Sequence, residues 1–146
     1  MSFTTYDTPV REEWIDYNGH LSEAYYVLVF GFATDQAMDE LGLGSAYRQE
    51  TGCSLYTVEA HVRYLQEAGL GAHLHVRTRI VGAAEKKLHL AHEMTVGDDL
   101  IATEEVLGIH VDQTHGRARV LPEAVRASAA DHLVDAPAWV GRAVRV

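Results

Sequence analysis

"SEAYYVLVFGFATDQAMDELG", Ser22 to Gly42, is the stretch on which the fold turns. Its apolar residues Tyr26, Val29, Phe30, Ala33, Ala37 and Leu41 recur at spacings of three and four, while Glu23, Asp35, Asp39 and Glu40 fall on the other side. That periodicity predicts a single amphipathic helix of about five turns. Ser22 stands where an N-cap belongs, and Gly42 where a left-handed stop belongs.

Beyond Gly44 the period changes to two. In "LYTVEAHVRYL" the residues Tyr56, Val58, Ala60, Val62 and Tyr64 alternate with Thr57, Glu59, His61 and Arg63, and "AHLHVRTRIV", "KKLHLAHEMTV" and "LIATEEVLGIHVD" behave alike. The joints "EAGLGA", "VGAAEK" and "VGDD" are short and turn-like, so the four strands are expected to be antiparallel neighbours in chain order. Upstream, "FTTYDTPV" reads as a strand stopped by Pro9, and "WIDYNGH" as a loop, because Asn18-Gly19 favours turn backbone. Downstream, "PEAVRASAADHL" reads as a short helix and "APAWVGRAVRV" as an extra strand or a packing arm. The expected class is α+β: a long central helix wrapped by a curved antiparallel sheet of five or six strands. One domain over residues 1–146 is expected, with a core at about 3–120 and an extension at 121–146.

Composition narrows the partners. A formal net charge of -9, with 12 Lys+Arg scattered singly against 21 Asp+Glu, argues against nucleic acid. No apolar run of membrane-spanning length and no leader pattern is visible, and the one cysteine, Cys53, cannot form an internal disulfide, so a cytoplasmic protein is expected. The nine histidines do not assemble a metal site: His89 and His92 point to opposite faces of a strand, and His73 and His75 share a face without further ligands. No Gly-x-Ser-x-Gly elbow exists for a serine nucleophile, and Cys53 has no evident base.

The chemistry concentrates in "WIDYNGHLSEAYY", Trp14 to Tyr26, which ends at the positive pole of the expected helix. Spacing alone leaves two readings open. Asp16 is either the acceptor of a turn, with Asn18 as a left-handed residue, or a base or nucleophile towards a carbonyl polarised by N–H groups at the helix start.

These segments, with "LGL", "TVEAHVRYLQEAGLGAHLHVRTRIVG", "KLHLAHEM" and "ATEEVLGIHVD", resemble the hotdog-fold acyl-CoA thioesterases of the 4-hydroxybenzoyl-CoA thioesterase-like family over roughly residues 8–120. Within that family, "WIDYNGH", "YTVEAHVRYL" and "KLHLAHEM" look most like the thioesterases of bacterial carnitine breakdown, which hydrolyse betainyl-CoA to betaine and CoA. The resemblance implies that Asp16 is the catalytic carboxylate, as nucleophile or as base for water, and that N–H groups at Gly19 and His20 polarise the thioester carbonyl. It implies no cofactor beyond the CoA of the substrate, and a homodimer or homotetramer with the active site at the subunit interface. Many relatives carry Asn-Asn or Asn-x-x-Tyr after the His; Leu21-Ser22-Glu23 stands here, so the acyl pocket is expected to be its own. The His-Phe-Pro segment of hotdog dehydratases is missing.

A betainyl group carries a quaternary ammonium, which aromatic faces hold at about 0.5–2 kcal/mol each. Trp14, Tyr17 and Tyr25 are the expected cage and Asn18 a further contact, whereas Tyr26 and Tyr56 also fit core positions. Glu59 either orients water, balances the cation or lies on a solvated strand face. A non-catalytic acyl-CoA-binding module and a hotdog hydratase are the competing functions. Neither would release a thiol.

Overall fold

The computed structural model describes residues 2–146. The chain runs through strand β1 (Thr4–Pro9), a 3-10 turn (Glu12–Trp14), helices α1 (Glu23–Leu41) and α2 (Ser45–Thr51), strands β2 (Cys53–Tyr64), β3 (His73–Ala83), β4 (Lys87–Val96), β5 (Asp99–Asp112) and β6 (Arg117–Ala118), and helix α3 (Glu123–Asp131). Ser22 caps α1 with extended backbone alone, since its side chain makes no capping bond. Gly42 ends the helix at φ 83°, with its N–H turned back to Asp39 and Met38 carbonyls. Helix α2 was not expected. It buries no residue and therefore left no apolar stripe in the sequence.

The strands form one antiparallel sheet in the order β1-β3-β4-β5-β2, with β6 added on β5. Two of the three expected hairpins exist, but β2 pairs with β5 rather than β3. The segment containing "EAGLGA" is a crossing. Its start is tied to β5, where the Leu65 and Gln66 N–H groups both donate to Ile101 O, and its end to Val10, whose N–H donates to Ala72 O. Three strand spacings are about 14 Å, within reach of the residues from Leu65 to Ala72. Glycine-rich joints look alike whether they reverse a chain or carry it across a sheet.

Helix α1 lies in the hollow of this sheet and buries Tyr26, Val29, Phe30, Ala33, Ala37, Met38 and Leu41. The core has two clusters along the helix. One gathers Val29, Phe30 and Ala33 with Leu74, Val76, Met94 and Ile101; the other gathers Ala37 and Leu41 with Leu55, Ile80, Leu88 and Leu90. Leu121, Val125 and Ala129 complete the second, so α3 is part of the packing. Between the clusters sits fully buried His92, stacked on Phe30 at 5.7 Å, with Thr34 and Thr78 hydroxyls on its two ring nitrogens at 2.9 and 2.8 Å. Burial drives its pKa down to about 3, so the ring is neutral.

The last segment is a packing arm. Val134 N–H donates to Ile80 O, Trp139 Nε1 to Glu93 Oε2 and Gly141 N–H to Glu105 Oε1, which fastens it to the outer sheet face. Among the described residues no helix is long and apolar enough to cross a membrane.

Candidate active site

Residues 15–22 fold back on themselves ahead of α1. Ile15 and Leu21 pair as an antiparallel bridge, Asp16 N–H donates to His20 O at 3.0 Å, and Gly19 N–H donates to Asp16 O at 3.0 Å. Gly19 takes φ 79°, a conformation that a Cβ would strain. The turn is anchored from outside by Leu21 N–H on Ala68 O and Ser22 N–H on Trp14 O. The crossing segment thus carries the loop.

Asp16 points its carboxylate into an open cleft of about 620 Å³ at the N-terminus of α1, shared with Tyr17, Asn18, His20, Tyr26 and Tyr64. One oxygen, Oδ1, accepts the Asn18 N–H at 2.8 Å. Oδ2 has no protein donor among the described residues. The two readings left open by spacing are therefore compatible: the residue anchors its turn with one oxygen and presents the other to the cleft.

The donors differ from the expectation. Gly19 N–H is engaged inside the turn, so Gly19 serves the backbone shape and has no N–H to offer a ligand. The N–H groups of His20, Glu23 and Ala24 have no protein acceptor among the described residues, and the last two open the first turn of α1. The helix pole adds positive potential at the same place.

The expected aromatic cage is not assembled. Trp14 is 5% exposed and belongs to the core, with Arg11 5.5 Å from its ring centroid and Tyr25 stacked on it at 5.9 Å. The Trp14–Tyr25 pair fills space beneath the loop, because an aromatic flanked by apolar Val10, Ile15 and Leu21 gains more from burial than from the cleft. Tyr17 is 97% exposed and reaches the cleft with Asn18. Tyr26 is buried, as its helical spacing required, yet its ring edge lines the cleft beside Tyr64, which the sequence did not single out.

Glu59 does not reach Asp16. A bulge between Thr57 and Glu59 breaks the alternation of β2, so Leu55, Thr57 and Ala60 line a groove beside α1 while Glu59 and His61 line a separate depression on the outer face with His89, Glu105 and Arg142. Tyr56 shifts away from the groove with the same bulge and accepts a hydrogen bond from Gln113.

That groove, about 390 Å³, contains the residue that sequence reasoning missed: Glu104, in contact with the space between α1 and β2–β5. Burial pushes its carboxyl up to about 7. A signal existed. Ala102, Glu104, Val106 and Gly108 share one face of β5, and an acid there breaks an inward-facing apolar row. Among the described residues no cluster of three or more His, Cys, Asp or Glu is arranged to hold a metal ion.

A helix held in a curled antiparallel sheet is the hotdog arrangement of thioesterases. The chain belongs to the thioesterase-like superfamily, whose family model matches residues 10–129. It is 40% identical to the betainyl-CoA thioesterase of Pseudomonas aeruginosa, over 97% of this chain and 93% of that one. It is 41% identical over 88% of its length to the L-carnitine dehydrogenase/betainyl-CoA thioesterase of Agrobacterium fabrum, of which it spans 26%. A Staphylococcus aureus protein solved in complex with CoA superposes with a TM-score of 0.90 at 28% identity, over 97% of this chain and 94% of that one.

Proposed function

We propose that the chain is an acyl-CoA thioesterase that hydrolyses betainyl-CoA to betaine and CoA. The observation that carries the reading is the Asp16 carboxylate, half anchored by Asn18 N–H and half free, facing a cleft whose rim holds unpaired N–H groups at the start of α1. The names of the relatives at about 40% identity support the acyl group, and the fusion of like segments to a carnitine dehydrogenase supports a place in carnitine breakdown. The CoA complex of the Staphylococcus protein supports CoA binding.

In this reading the thioester carbonyl oxygen accepts hydrogen bonds from His20, Glu23 and Ala24 N–H groups, which strengthen as negative charge develops on it. The free oxygen of Asp16 either attacks the carbonyl carbon, expelling CoA thiolate and leaving a mixed anhydride for water to cleave, or removes a proton from an attacking water. Both routes end in free acid and CoA and use no further cofactor.

The cleft is completed by a second copy of the chain. Strand β2 is an edge strand with Tyr56 to Ala60 exposed on both faces, Val58 at 53%, which is the form of a strand that pairs across a two-fold axis. Sedimentation of the purified chain as a dimer or tetramer is expected; a monomer at micromolar concentration would remove this part of the reading. The chemistry is tested by thiol release from a panel of acyl-CoAs that includes betainyl-CoA. Binding without release would point to a ligand-binding module instead.

A further inference from the structure

The groove beside α1 contains a carboxylate for which the chain supplies no partner. Glu104 is 4% exposed, and its side chain has neither a hydrogen bond nor an ion pair among the described residues. In the sheet it stands between His92 on β4 and Val62 on β2. Both His92 ring nitrogens are taken by threonine hydroxyls, so the adjacent polar group is closed to it. A carboxyl held in such a groove without a partner is costly to ionise, and a cation bound in the groove would offset that cost.

The space in front of Glu104 has the right shape for a small occupant. Val27, Leu55, Leu90 and Val106 give it apolar walls, and Asp35 adds a second acid. Burial raises Asp35 also, against the lowering charge of Arg48. Arg48 lines the same groove, but its guanidinium donates to Leu43 O. Gly31 lines the groove too, and a Cβ built there would meet nothing within 4 Å. A mid-helix glycine destabilises the helix relative to alanine, and what it leaves here is room.

We propose that Glu104 is the counter-charge for the cationic end of the acyl group, making the groove selective for a small cation that donates no hydrogen bonds. This inference rests on the betainyl reading above. A trimethylammonium group has only methyl surface to offer, which suits apolar walls, and its positive charge favours the ionised form of a carboxyl that no donor in the chain stabilises. The groove adjoins the cleft along α1: Glu23 and Tyr26 line the cleft, Val27 the groove. Tyr64 donates from the cleft rim to Glu23 O at 3.3 Å, and its hydroxyl is pushed up by burial and then by the charges of Glu23 and Glu104. The Glu104 charge therefore reaches the rim of the cleft.

The experiment compares kcat/KM for betainyl-CoA and tert-butylacetyl-CoA, its neutral isostere, in the wild type and in Glu104→Gln. The ratio of the two is expected to fall about 10- to 100-fold in the variant, the scale on which losing one buried specificity contact acts. An unchanged ratio overturns the proposal, whether both rates fall together or neither moves. Gly31→Ala supplies a second arm: its added methyl should lower kcat/KM for both substrates severalfold while raising Tm, and unaltered kinetics with both would show that the groove does not hold the acyl group. A wild type that releases no thiol from betainyl-CoA overturns the functional reading itself, and is seen before any variant is compared.

Discussion

Glu104 and Glu105 are neighbours in the chain and opposites in the fold. Glu105 faces outward, where His89 Nε2 lies 2.8 Å from one oxygen and Gly141 N–H donates to the other at 2.7 Å. Glu104 faces α1 and has no partner. The same contrast runs across the sheet. On the outer face His75 lowers Asp7 through a hydrogen bond against its burial, and Arg79 and Trp139 hold Glu93 low although burial opposes them. On the helix face burial alone raises Glu104 and depresses His92. Asp7, Glu93 and Glu105 outside are matched by the chain, whereas Glu104 inside is left for something else to match.

If the helix side houses the chemistry, Asp16→Asn should give the largest effect, a loss of thiol release of about 10²–10⁴-fold, while Glu105→Gln should stay within about twofold of wild type. Steady-state assays with betainyl-CoA check both, and equal losses would erase the contrast between the faces.

The next effect concerns stability. His92→Ala leaves a cavity and strands the Thr78 hydroxyl, while the Thr34 hydroxyl keeps its bond to Phe30 O, so it should cost about 2–4 kcal/mol in denaturant unfolding. His89→Ala on the outer face, removing a partly exposed pair, should cost less than about 1 kcal/mol.

Smaller and more diagnostic is the pH dependence. His92, at about 3 in the fold against 6.5, refuses a proton that the unfolded chain takes up, so stability is lost as pH falls below 6.5. Glu104, at about 7 against 4.5, holds a proton that the unfolded chain releases; its contribution is complete below 4.5 and lost as pH rises through 7. Between 4.5 and 6.5 the two oppose each other. Glu104→Gln removes only the second, so Tm at pH 8 should exceed wild type by a few degrees, and the loss below pH 6.5 should steepen. A variant that melts below wild type at pH 8 would mean that Glu104 has a partner after all.

Much of this molecule was legible in the chain because its signals are local. The helix from Ser22 to Gly42 follows from period and caps, and four of the strands from alternation. Asp16 stood out because an acid, a turn dipeptide and a helix start are adjacent in sequence. Trp14 and Tyr25 were misread because an aromatic near a site and an aromatic under it look alike. Tyr56 shared an alternating face with Ala60 and Val62 in the sequence, and the bulge between Thr57 and Glu59 puts it on the opposite one.

By itself, then, the sequence determined the α+β class, the position of α1, the acid ahead of it and the family to which these segments belong. Only the tertiary structure decided that β2 crosses to the far edge beside β5, that Gly19 N–H is spent in the turn, and that of two adjacent glutamates one is satisfied and the other is not. Period and composition act over a few residues and can be read along a chain. Strand order, burial and the supply of partners depend on residues far apart in sequence, and a glutamate has no charge partner or solvent until the fold assigns them.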